Sequence, residues 1–174
     1  MTDATSTIER GTSETRGDQQ TLRFTLRLPH PVPRVWAAVA SSEGLPGWLA
    51  AADPFEPHVG GAVTLRWLNT APDGQATVAS GTVTAWDVER IAEYTVDGLH
   101  GRMRFHLEPP RGDHVLLRFT NEFRGDDALR LDCLAGWHDH FCHLVDALAG
   151  HPADWTKWTP VRWAGLREEY AAQR

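Results

Sequence analysis

Lysine occurs once in the 174 residues, at Lys157, and cysteine twice. No apolar run approaches the roughly 18 residues that a bilayer-spanning helix needs. With basic charge left to dispersed arginines and a formal net charge of −6, no stretch forms the basic patch of a nucleic-acid binder. The polar N-terminus has no hydrophobic signal core, so the expectation is a cytoplasmic protein without a membrane span. Cys133 and Cys142 fall on one predicted helix. At about 100° per residue their spacing puts them on opposite faces, which excludes a bond between them and leaves two reduced thiols. The sequence has no Gly-x-Ser-x-Gly elbow, no Gly-x-Gly-x-x-Gly turn and no phosphate loop.

Tryptophan, by contrast, is abundant: eight residues, spread over most predicted elements. Each brings a wide apolar ring and one N–H that needs a partner. Such rings either fill a core or line a pocket for an aromatic or lipid-like guest, and composition leaves both readings open.

The stretch from Asp127 to Gly150 organises the chain. Leu131, Leu134, Trp137, Phe141, Leu144, Val145 and Leu148 recur at steps of three and four, the apolar stripe of one long helix. Asp126 or Asp127 is placed to cap its start, and Gly150 with Pro152 to stop it. Asp139, His140, His143 and Asp146 are expected on the opposite, solvated face. Upstream, Thr21–Leu28 alternates as a half-buried strand. Pro33–Ala40 and Ser41–Ala51 then read as two short helices. Ala62–Leu68, Thr77–Trp86, Ile91–Val96, Gly101–Leu107 and His114–Phe123 follow as strands, joined by short links that imply an antiparallel meander, one of them a turn at Pro72-Asp73-Gly74. Met103, Phe105 and Leu107 alternate with Arg102, Arg104 and His106, as a sheet covered on one side requires. Residues 1–20 have no periodicity and read as a flexible segment, although Thr7–Thr12 has the makings of a short edge strand. Residues 21–174 read as a single domain. Its last helix, about 160–172, is capped by Thr159 and carries Trp163, Leu166 and Tyr170 on its apolar side, with Trp155 and Trp158 pinning the tail to the body.

This order of elements is an α+β arrangement similar to the helix-grip fold, a curved antiparallel sheet wrapped around a long C-terminal helix, with two short helices after the first strand. Pro33-x-Val35-Trp36-x-Ala38-Val39, Leu45-x-x-Trp48-Leu49, Gly60-Gly61, Gly81-x-Val83 and Gly136-Trp137-x-x-x-Phe141-x-x-Leu144-x-x-x-Leu148 together resemble the START-like (SRPBCC) superfamily. Within it they are most similar to the bacterial branch named after the activator of the heat-shock chaperone ATPase. The likeness implies a cavity between sheet and long helix that binds a small, mostly hydrophobic or aromatic molecule. Carried over position by position, Trp36, Trp48, Trp67, Phe105, Phe119, Asn121, Trp137 and Phe141 are the expected ligand-binding residues, and His138, which borders the apolar stripe of the long helix, is expected to join them.

The same likeness covers polyketide aromatases and cyclases, and co-chaperone or interaction modules, and fold does not choose among them. An enzyme would use His138, Asn121 or a trapped water to move protons on a folded polyketone. The sequence shows few convergent polar groups, so no catalytic residue is assigned and the balance falls against an enzyme. An interaction module would use Arg102, Arg104 and His106 on the outer sheet face. A chaperone partner and a homodimer stay open. His138-Asp139-His140-x-x-His143 invites a metal, but its ligands converge poorly at helical spacing, and neither a metal nor a cofactor is expected.

Overall fold

The computed structural model describes residues 5–69 and 76–173, so the turn expected at Pro72–Gly74 lies outside them. Nine strands form one antiparallel sheet: β1 (Thr7–Ile8), β2 (Thr12–Arg16), β3 (Gln19–Leu28), β4 (Ala50–Phe55), β5 (Ala62–Trp67), β6 (Val78–Asp87), β7 (Ile91–Val96), β8 (Arg102–Leu107) and β9 (Val115–Arg124). Across the sheet the order is β1-β3-β9-β8-β7-β6-β5-β4, with β2 also pairing with β3. The helices are α1 (Val32–Val39), α2 (Asp127–Leu148) and α3 (Val161–Ala172). This is the α+β helix-grip architecture.

Alternation drives the sheet. Leu22, Phe24, Leu26 and Leu28 of β3 are buried, as are Leu117, Phe119 and Asn121 of β9 and Met103, Phe105 and Leu107 of β8. Register places Phe24 opposite Phe119, and Phe119 opposite Phe105. A row of aromatic rings therefore crosses three neighbouring strands on the inner face. In β6 the pairing passes from Val83 to Ala85, which leaves Thr84 as an extra residue that bends the strand.

Helix α2 lies against this inner face with Leu134, Trp137, Phe141, Leu144 and Leu148 buried. Asp126 caps it by accepting from the Leu129 amide at 2.9 Å, and Gly150 adopts φ 98° just past its end.

Three details of the helices differ from the sequence expectation. The second short helix is a single 3₁₀ turn at Leu45–Gly47, because Gly44 and Pro46 leave too little uninterrupted chain and β4 already begins at Ala50. Thr159 does not cap α3; Pro160 occupies the cap position, with no side-chain hydrogen bond. Asp139 and His140 are 3% and 5% exposed rather than solvated.

The tail explains that burial. Arg162 of α3 donates to the Asp139 carboxylate, and Arg167 to Asp132 at 2.6 Å. Trp155 Nε1 reaches the Pro46 carbonyl at 2.8 Å, while its ring packs on those of His140 and His143. α2 is thus covered by the sheet on one side and the tail on the other. The aperiodic N-terminal stretch joins the same assembly. β1 and β2 hydrogen-bond along β3, the Gly11 amide donates to Tyr170 Oη at 3.0 Å, and the Arg10 guanidinium lies 4.5 Å from the Tyr170 ring. Main-chain pairing of exposed polar residues needs no hydrophobic alternation, so it leaves no periodic signal.

Candidate functional site

A cavity of about 430 Å³ opens where three parts of the fold meet. α2 supplies Leu129, Cys133, Gly136, Trp137 and His140. The sheet end supplies Trp67, Asn69 and Thr77, together with Leu99 and His100 of the β7–β8 connection. The tail supplies Trp158, Pro160 and Trp163. The walls are mostly indole and aliphatic, with a few polar groups, the composition of a small-molecule site. Gly136 matters here because of what it omits. A Cβ at that position would meet nothing closer than Trp163 Nε1 at 3.9 Å, so the missing side chain leaves part of the cavity free.

The sheet positions one wall through Asn121. Completely buried on β9, its Nδ2 donates to the carbonyls of His100 at 2.7 Å and Arg102 at 2.9 Å, and its Oδ1 accepts from Trp137 Nε1 at 3.0 Å. One amide thereby ties the β7–β8 connection to α2. Gly101 makes the turn feasible: its φ is 57°, and a Cβ would stand 2.2 Å from the Glu122 carbonyl oxygen. His100 then stacks flat on Trp67, the centroids 3.9 Å apart and the planes at 11°. Its Nδ1 is buried and unpartnered among the described residues, as is Asn69 Oδ1.

His140 faces the cavity from α2. Its Nδ1 lies 2.9 Å from the Trp48 carbonyl, a contact that requires the proton on Nδ1 and leaves Nε2 as a bare acceptor. Burial holds both imidazoles far below the ordinary histidine value, down to about 4 in each case, and for His100 the neighbouring His140 adds to the effect. Burial pushes the Cys133 thiol up to about 12, with Asp132 adding to the shift. A thiol shifted that way stays protonated at neutral pH, and it is the thiolate that attacks. Cys133 and Cys142 are both free.

Of the residues expected from the sequence, Trp67 and Trp137 line this cavity, and Asn121 stands behind its wall. Trp48, Phe105, Phe119 and Phe141 pack on one another, with Phe105–Phe119 at 4.9 Å, Phe119–Phe141 at 5.2 Å and Trp48–Phe141 stacked at 5.9 Å. They occupy the space between sheet and helix beside the cavity. Trp36 packs on Trp86 at 5.0 Å, away from it. His138 turns toward Tyr170, Nδ1 to Oη at 2.7 Å, with its ring edge on Phe24. The sequence reading missed His100, His140, Trp158 and Trp163 as wall residues. Three tryptophans in an otherwise polar tail were the available clue, since rings of that size need a surface to cover.

The match to known proteins follows this architecture. The family model described as "Activator of Hsp90 ATPase homolog 1-like protein" matches residues 29–149, well over half of the chain. The chain belongs to this family. Among solved structures, a Bordetella parapertussis protein is similar over 92% of this chain and 90% of its own, at 28% identity and a TM-score of 0.68. CalU16 from Micromonospora echinospora matches over 95% and 97% at 16% identity and TM-score 0.66, and an Enterococcus faecalis conserved protein of unknown function over 95% and 92% at 15% identity and TM-score 0.66. The last two likenesses speak to the fold, which is the START-like one. No curated protein matches this chain. In this member of the family, the segment beyond the matched residues contributes Trp158, Pro160 and Trp163 to the cavity.

Proposed function

We propose that this protein binds a small, mostly apolar molecule in the cavity bounded by α2, the sheet end and the tail. The observation that carries the reading is the cavity itself, about 430 Å³ with indole walls from Trp67, Trp137, Trp158 and Trp163. That volume lies within the range of roughly 300–1,000 Å³ usual for small-molecule sites. Two unpaired cysteines suit a reducing, cytoplasmic setting.

The rivals have less support. Arg102 and Arg104, candidates for an outer contact patch, are engaged by Glu93, and Arg102 by Glu122 as well. An acidic partner would have to compete with carboxylates already in place. His138, the candidate acid–base group of an aromatase or cyclase, faces Tyr170 and lies outside the cavity lining.

The test pairs a neutral fluorescent dye, N-phenyl-1-naphthylamine, with the substitution Gly136→Leu. The new Cβ meets nothing closer than Trp163 Nε1 at 3.9 Å, the rest of the leucine takes up cavity volume, and leucine favours helix more than glycine does. The wild type should bind the dye with enhanced emission, and G136L should lose most of that binding at unchanged circular dichroism. Equal dye binding by both proteins would place the dye elsewhere and overturn the reading.

A further inference from the structure

Within that ligand-binding reading, on which this step rests, we infer that the guest is an uncharged apolar molecule bearing a hydroxyl group, and that the hydroxyl is held between the imidazoles of His100 and His140. Both side chains line the cavity. Neither ring nitrogen of His100 has a hydrogen-bond partner among the described residues, and of the two Nδ1 is the buried one. His140 spends its one proton on the Trp48 carbonyl, so its Nε2 offers a lone pair and nothing else. A half-buried imidazole left without partners is costly, and a molecule that meets it from the cavity is what would complete it.

The charge pattern selects the chemistry. Burial keeps both rings neutral. The charged lining residues are Asp132 and Asp139, and no arginine or lysine faces in among the described lining. An anion would find no counter-charge and two carboxylates. A cation would find those carboxylates already held by Arg167 and Arg162. A ketone or ether, which only accepts, would set its oxygen against the bare Nε2 of His140. A hydroxyl donates to that nitrogen and can accept from, or donate to, His100, whose tautomer no contact among the described residues fixes. His100 is rigidly placed for the task, stacked on Trp67 and held by Asn121 through its carbonyl. Recognition is therefore polar at one end of an otherwise aromatic slot.

Displacement of N-phenyl-1-naphthylamine tests this with three competitors of one shape: 1-naphthol, 1-methoxynaphthalene and 1-naphthoate. The naphthol should displace the dye at roughly 3–10-fold lower concentration than its methyl ether, the worth of about one hydrogen bond, and the naphthoate should compete worst. His100→Phe keeps a ring on Trp67 but removes the nitrogen, so it should shrink the naphthol preference toward parity while ether binding persists. Equal competition by naphthol and ether, or a naphthoate that competes best, overturns the hydroxyl assignment and leaves ligand binding standing. A preference undiminished in H100F overturns the role of His100. Failure of the dye and all three competitors to bind ends both readings. Should H100F not fold, the comparison of naphthol with its ether on the wild type still decides.

Discussion

Asn121 serves three polar groups with one amide, two carbonyls of the β7–β8 connection and the Trp137 indole. Asn121→Ala leaves all three without that partner in a dry interior. We expect a loss of about 2–4 kcal/mol in urea denaturation, since each buried group left unpaired costs about 1–3 kcal/mol and part is recovered by relaxation. Asn121→Asp should fare no better, because a carboxylate cannot donate to the His100 and Arg102 carbonyls. An unchanged unfolding midpoint in either variant would show that the amide is not structural. Trp137→Ala removes both a cavity wall and a ring that packs on Phe119 at 4.3 Å. Its expected cost is about 3–5 kcal/mol, with weakened dye binding in the fraction that folds.

At the scale of elements, α2 and α3 are joined by two ion pairs of unequal worth. Asp139 is 4% exposed in its side chain, and Arg162 donates to it alongside Trp158 Nε1 at 3.3 Å. Asp132, which pairs with Arg167, is 45% exposed. Removing a partner from a dry carboxylate costs far more than removing one from a wet carboxylate. Arg162→Ala should therefore lower stability by about 1–3 kcal/mol and Arg167→Ala by less than about 1 kcal/mol. Faster amide exchange across residues 155–172 in R162A, and little change in R167A, is the matching local signature. Equal effects of the two would mean that the tail is held by its tryptophans rather than by charge.

At the scale of the whole molecule, buried histidines set the acid response. In the folded protein His100 and His140 sit at about 4, below the ordinary value of about 6.5 for an unfolded chain. Between those limits the unfolded chain binds more protons, so stability is fully present above about pH 6.5 and falls as pH drops toward 4. Burial also lowers His30, His138 and His143, in the same direction. Glu93 acts lower on the scale. Burial raises its carboxyl, but Thr84, Arg104 and Arg102 outweigh this and hold it below the carboxylate range. Its contribution is present above the unfolded carboxylate value and lost as pH falls through the folded one. The thermal midpoint should thus decline from about pH 6.5 downward, and H100F should make that decline shallower. A midpoint flat between pH 7 and 4 would contradict the burial of these rings.

The sequence by itself determined whatever depends on near neighbours along the chain. Alternation in Thr21–Leu28 and in Met103–Leu107 marked the inner face of the sheet, because a strand turns every second side chain the same way, and the family resemblance added Asn121. Asp126, the stripe from Leu131 to Leu148 and Gly150 marked the long helix, and ordered motifs from Pro33 to Leu148 marked the family. Only the tertiary structure decided which face of that helix stays wet. The same periodicity that put Leu134 and Phe141 inside assigned Asp139 and His140 to water. Arg162, 23 positions beyond Asp139, Trp155 and Trp158 instead fold back and bury them. The cavity is likewise a product of packing between distant segments, formed where Gly136 leaves room and where filled aromatic space ends. Helical periodicity records one apolar face and is silent about a second one covered through polar contacts, since hydrogen bonds and ion pairs bury charged residues that hydrophobicity would place outside.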